Sequence, residues 1–60
     1  MNYSIAIKEL RMKMLLTQTE FAEVLGVTFE TVNRWENGRC EPTMKMRRKL
    51  KALFDEHGII

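Results

Sequence analysis

Residues 18–38 read QTEFAEVLGVTFETVNRWENG, and this stretch decides the fold. Thr17, Gln18, Thr19 and Glu20 form a capping box. The Thr17 hydroxyl is spaced to accept from the Glu20 amide, and the Glu20 carboxylate to reach back. Phe21, Ala22, Val24 and Leu25 follow as the apolar face of a short helix. Gly26 falls where a helix end favours a left-handed residue. Thr28 is a second N-cap, with Val27 before it and Val32 after it at hydrophobic-staple spacing. The second helix runs to about Asn37 and stops at Gly38. Val32 and Trp35 point inward, and Phe29 reads either way. Glu30, Thr31, Asn33 and Arg34 are polar. A helix that buries so narrow a stripe leaves a wide face open to a partner.

Working outward, the spacing predicts a first helix from about Ser4 to Met14, with Ser4 as N-cap. Ile7, Leu10 and Met14 form its stripe, with Ala6 beside them. A fourth helix is expected from near Pro42 and Thr43 to about Glu56, with Met46, Leu50, Leu53 and Phe54 inward. Nothing alternates with period two, so no strand is expected. The ending His57-Gly58-Ile59-Ile60 is open between a frayed tail, a single turn and an apolar contact. His57 reads as a surface residue, and the five methionines as core filler.

The chain has 60 residues, and residues 1–60 are read as one domain with a two-helix unit at about 17–37. A domain this short buries only about 60% of the surface its unfolded chain exposes, so its stability is modest. The single cysteine, Cys40, forms no intramolecular disulfide and reads as a half-buried small residue in a reducing cytoplasm. No Cys/His spacing suits a metal, and no cofactor is implied. The formal net charge is +2. Lys45, Arg47, Arg48, Lys49 and Lys51 lie between Pro42 and Phe54 with no acid among them. Such a helix suits phosphate contact, and a solvated face is the plainer reading. No apolar run approaches the roughly 18 residues of a membrane span, and no signal layout opens the chain. A cytoplasmic protein without membrane attachment is expected. An enzyme is not: acid/base pairs, a Ser-His-Asp set and phosphate-cradling loops are all missing from the sequence.

Two short helices around a glycine turn, the second with an exposed polar face, are the pattern of a DNA-reading helix-turn-helix. The residues also carry a family likeness. Leu10-Arg11, Thr17 to Ala22, Leu25 to Thr28, Thr31 to Gly38 and Pro42 together resemble the phage-repressor (Cro/cI-like, XRE) helix-turn-helix family, from about Ile7 to Phe54. The resemblance implies an all-α, lambda-repressor-like bundle of four to five helices. It implies that Gln18 opens the helix that ends at Gly26, against a phosphate, a base or both. Phe29, Glu30 and Arg34 would face base edges, and Thr31 and Asn37 the sugar-phosphate backbone. Arg11 and Glu36 match a structural ion pair. Two residues depart from the pattern. Phe29 cannot hydrogen-bond where many members carry a polar base reader, and Glu30 brings negative charge toward DNA.

Each candidate has a functional and a bland reading. Arg34 pairs with guanine O6 and N7, or with Glu30 four residues earlier. Glu30 accepts from cytosine N4, or offsets the helix dipole. Phe29 packs on a thymine methyl or within the protein. Gln18 lies at a helix N-terminus, where amides favour phosphate. Asn33 pairs with adenine or is solvated, and Asn37 ends the helix or meets phosphate. Thr28, Arg39, Thr43 and Lys45 complete the candidate DNA-binding set. Trp35 reads as core.

These readings imply a sequence-specific, double-stranded DNA-binding transcriptional regulator, a repressor, with the helix at about 28–37 in the major groove. A homodimer on a two-fold operator is expected, with helix four's end and Ile59-Ile60 as candidate dimer surfaces. The alternative is a small antitoxin-like or accessory module whose main partner is another protein, motivated by the apolar tail Ile59-Ile60.

Overall fold

The computed structural model describes residues 2–59. Four helices, α1 (Tyr3–Lys13), α2 (Gln18–Leu25), α3 (Phe29–Glu36) and α4 (Met44–Glu56), make up the architecture, with no strand among the described residues. The all-α expectation holds, at the four-helix end of the range. α3 packs against both α1 and α2, and α4 packs against α1.

Each helix opens on a side chain that takes up its first free amides. Thr17 Oγ1 accepts from the Glu20 amide at 3.1 Å, while Glu20 Oε1 accepts from the Thr17 amide at 2.9 Å. Thr28 Oγ1 accepts from Thr31 N at 3.2 Å, and Thr43 Oγ1 from Met46 N at 3.4 Å. The cap of α1 is not Ser4. Asn2 fills that role, its Oδ1 accepting from the Ser4 amide at 3.1 Å and the Ile5 amide at 3.3 Å. Ser4 lies inside the helix, and its hydroxyl donates to the same Asn2 oxygen at 2.7 Å. The helix gains its first residues because Asn2 is itself a strong capping residue.

All four helices end on a left-handed residue. In α2, α3 and α4 that residue is Gly26, Gly38 or Gly58; in α1 it is Leu15, at φ 58°. The Leu16 amide returns to Arg11 O at 3.2 Å and the Leu15 amide to Met12 O at 3.1 Å. This pair of bonds is a Schellman closure made without glycine.

The core gathers Ala6, Ile7 and Leu10 of α1, Phe21, Ala22 and Leu25 of α2, Val32 and Trp35 of α3, and Leu50 and Phe54 of α4. Met14, Val27, Met46 and Leu53 pack against it, as their spacing predicts. Ile59 belongs to it too. The Gly58 turn brings the Ile59 amide to Phe54 O at 2.8 Å and buries the side chain. The tail expected as a dimer or partner contact is therefore internal at Ile59, and Ile60 lies outside the described residues.

Other expectations fail for reasons of helix phase. Val24 is 56% exposed, because the eight-residue α2 turns only the stripe of Phe21, Ala22 and Leu25 inward. Met12 and Met44 are exposed on the outward sides of their helices and fill no core. Cys40 is exposed in the loop between α3 and α4, not half-buried. His57 is half-buried where the chain turns toward Ile59.

Candidate nucleic-acid interface

The geometry of α3 is set by one carboxylate. Glu36 Oε2 accepts from Arg11 Nε at 2.7 Å and Oε1 from Arg11 Nη2 at 3.0 Å, a bidentate pair joining α1 to α3. Arg11 Nη1 also donates to Leu16 O at 3.0 Å. The hydrogen bonds to Glu36 hold the Arg11 pKa above its ordinary value, against the opposing effect of burial. The structural ion pair implied by the family likeness is thus present, with side chains only 16% and 5% exposed.

The pair continues into a chain of amides. Gln18 Nε2 donates to Glu36 Oε1 at 3.0 Å, and Gln18 Oε1 accepts from Asn33 Nδ2 at 3.2 Å. Asn33 Oδ1 accepts from Asn37 Nδ2 at 3.0 Å, and the same Asn37 nitrogen reaches Asn33 O at 2.9 Å. The line runs from Arg11 of α1 to Glu36 of α3, across to Gln18 of α2, and back to Asn33 and Asn37 at the end of α3. No buried side-chain nitrogen or oxygen among the described residues lacks a partner. Sequence reasoning treated Gln18, Asn33 and Asn37 as separate candidates and missed their connection. The four-residue interval from Asn33 to Asn37 was the available signal.

The outward face of α3 carries Phe29, Glu30 and Arg34, all exposed, with Thr28 exposed ahead of them and Thr31 half-buried at the edge. Thr31 Oγ1 lies 2.9 Å from Thr28 Oγ1, within hydrogen-bond reach of the cap. The ion pair between Glu30 and Arg34, the bland reading of Arg34, is not formed among the described residues. Glu30 sits in the first turn and Arg34 in the last, so each already complements the helix dipole from its own end. Phe29, open in the sequence, is 48% exposed and does not join the core.

Beyond α3, Arg39, Thr43 and Lys45 are exposed. The basic run of α4 is divided. Arg47 turns inward, donating from Nε to Pro42 O at 2.9 Å and from Nη2 to Glu41 Oε1 at 3.0 Å. Its guanidinium carbon lies 5.0 Å from the centroid of the Tyr3 ring, a cation–π contact that ties the loop to α1. Lys51 pairs with Asp55 at 3.1 Å. Lys45, Arg48 and Lys49 are left exposed, without an ion pair among the described residues. The arrangement offers a short polar helix face with cations beyond its end, held rigidly on the scaffold.

Comparison with known proteins points the same way. A helix-turn-helix family model matches residues 7–57. The chain is 40% identical over 57 residues to the type II methyltransferase M.SsoII of Shigella sonnei, covering 90% of this chain and 14% of that protein. It is 39% identical over 49 residues to an uncharacterized HTH-type transcriptional regulator of Archaeoglobus fulgidus, covering 82% of this chain and 69% of the relative. A second such regulator, from Methanothermobacter thermautotrophicus, is 40% identical over 52 residues, with 85% and 75% covered. No solved structure matches the chain. With the model match spanning most of its length and the two-helix unit in place, the chain belongs to the XRE-type helix-turn-helix family.

Proposed function

We propose that the protein is a sequence-specific regulator of transcription that acts as a repressor by laying α3 in the major groove of double-stranded DNA as a homodimer. The observation that carries this reading is the exposed face of α3, where Phe29, Glu30 and Arg34 stand clear on a helix locked from behind by Arg11, Glu36, Gln18 and Asn33. With its side chains an α-helix is about 10–12 Å across, which suits a major groove about 12 Å wide. Arg34 is the base reader of guanine, and Glu30 meets a cytosine amino group. Arg39, Thr43 and Lys45 contact phosphates. Gln18 and Asn33 serve first to hold α2 against α3, with Asn37 bonded to Asn33, and Gln18 and Asn37 approach the backbone from that position. Two of the relatives bear the name of transcriptional regulators, which supports the reading. The methyltransferase matches over a small part of its length, so its chemistry is not carried over, and we read this chain as a binding module and not an enzyme.

One such helix reads few base pairs, so two copies on a two-fold site follow from the need for affinity. Selection from a random duplex pool, with wild type and Arg34→Ala in parallel, tests the proposal. The wild type enriches an inverted repeat. The variant loses preference at one base pair per half-site, at a cost of about 1–3 kcal/mol. Binding with no enriched sequence would overturn the reading.

A further inference from the structure

We infer that Phe29 reads the C5-methyl group of a pyrimidine in the major groove, so that DNA binding responds to methylation at that position. The inference rests on the DNA-reading role of α3 proposed above. Phe29 is the first residue of α3, and about half of it is exposed. Its side chain lies outside the buried core. Val27 and Val32, to either side in sequence, pack on the core, and Phe29 does not. The cap of α3 is made by the Thr28 hydroxyl, so Phe29 has no part in closing the helix start.

A phenyl ring offers no hydrogen bond to a base edge, and the C5-methyl is the apolar group that the major-groove edges present. Thymine carries it. A 5-methylated cytosine carries the same group at the same place. Glu30, beside Phe29 on the exposed first turn, accepts from a cytosine amino group. The first turn therefore holds both groups that a methylated cytosine would meet. Arg34, Arg39 and Lys45 stand exposed on and beyond the same helix. That charge favours a polyanion over an apolar protein surface as the occupant.

The test uses the duplex obtained by selection. Each thymine of the half-site is replaced in turn by deoxyuridine, which removes the methyl alone. Each cytosine is replaced in turn by 5-methyldeoxycytidine, which adds it. Binding is measured for wild type, Phe29→Ala and Phe29→Leu at one salt concentration. At one position per half-site, the wild type binds the methylated form about four-fold more tightly per half-site, the weight of one buried methyl group. Phe29→Ala binds both forms equally, and Phe29→Leu keeps part of the difference. The deoxyuridine arm identifies thymine as the source of the methyl, and the methylcytosine arm identifies cytosine. Unchanged thermal unfolding of both variants shows that the fold is intact. Equal wild-type affinity for both forms at every position would overturn the inference and leave DNA reading by α3 standing, as would an equal methyl effect in Phe29→Ala. Failure to select any duplex would overturn both.

Discussion

Glu36 accepts three hydrogen bonds, two from Arg11 and one from Gln18, with 5% of its side chain exposed. A carboxylate this enclosed is stable only with its partners, and removing one member of such a pair strands the other. Glu36→Ala should therefore cost about 3–5 kcal/mol, a large part of the stability of a small domain, read by chemical denaturation. The Arg11 pKa is raised, so the arginine contribution is complete below its ordinary titration range and is lost only as pH rises through the folded value. The guanidinium thus adds no pH dependence between mild acid and mild base. At this scale the sequence was uneven as a guide. Arg11 and Glu36 were legible because a family likeness pairs them across 25 positions. The amide chain through Gln18, Asn33 and Asn37 was not, because an amide side chain fits a base, a phosphate or another amide equally well. Arg47 was read as one cation of a basic run. Its inward turn depends on Tyr3 and Pro42, contacts that only the tertiary fold creates.

The helices themselves were legible where their ends obey local chemistry. Thr17, Thr28 and Thr43 stand where capping rules place them, and Gly26 and Gly38 where a left-handed turn is wanted. The end of α1 breaks the pattern. Leu15 is left-handed and 88% exposed, a conformation that costs an ordinary residue about 1–2 kcal/mol. Nothing in a leucine announces it. The turn is imposed because Leu16 packs against the core, and the chain must reverse within one residue to deliver it. Leu15→Asn should raise stability by about 1 kcal/mol, since asparagine tolerates this region far better. Thermal unfolding would show a higher midpoint, and a lower one would mean that the exposed leucine makes a contact worth more than its strain. The start of α1 is ambiguous in the sequence. Asn2 and Ser4 are both capping residues, and only the packing of the following turn distinguishes them.

At the scale of the molecule, a body of 25 × 22 × 18 Å presents the exposed face of α3 with Phe29, Glu30 and Arg34 on it. The core was largely legible, since helical spacing picked out all eight of its residues from α1, α2 and α4, including Ile7, Phe21, Leu50 and Phe54. The tail was not. Ile59 completes the core through the Gly58 turn, so its side chain is not free for a contact between copies. On the proposed reading, α3 enters the major groove twice, once from each copy of a dimer. Dimethyl sulfate probing of the selected operator tests it most directly, because the reagent reports guanine N7 in the major groove and adenine N3 in the minor groove. Guanine N7 protection is expected in two patches on one face of the duplex, with centres about 10–10.5 base pairs apart or a multiple of that. Protection confined to adenine N3, or a single patch with no symmetry mate, would contradict it.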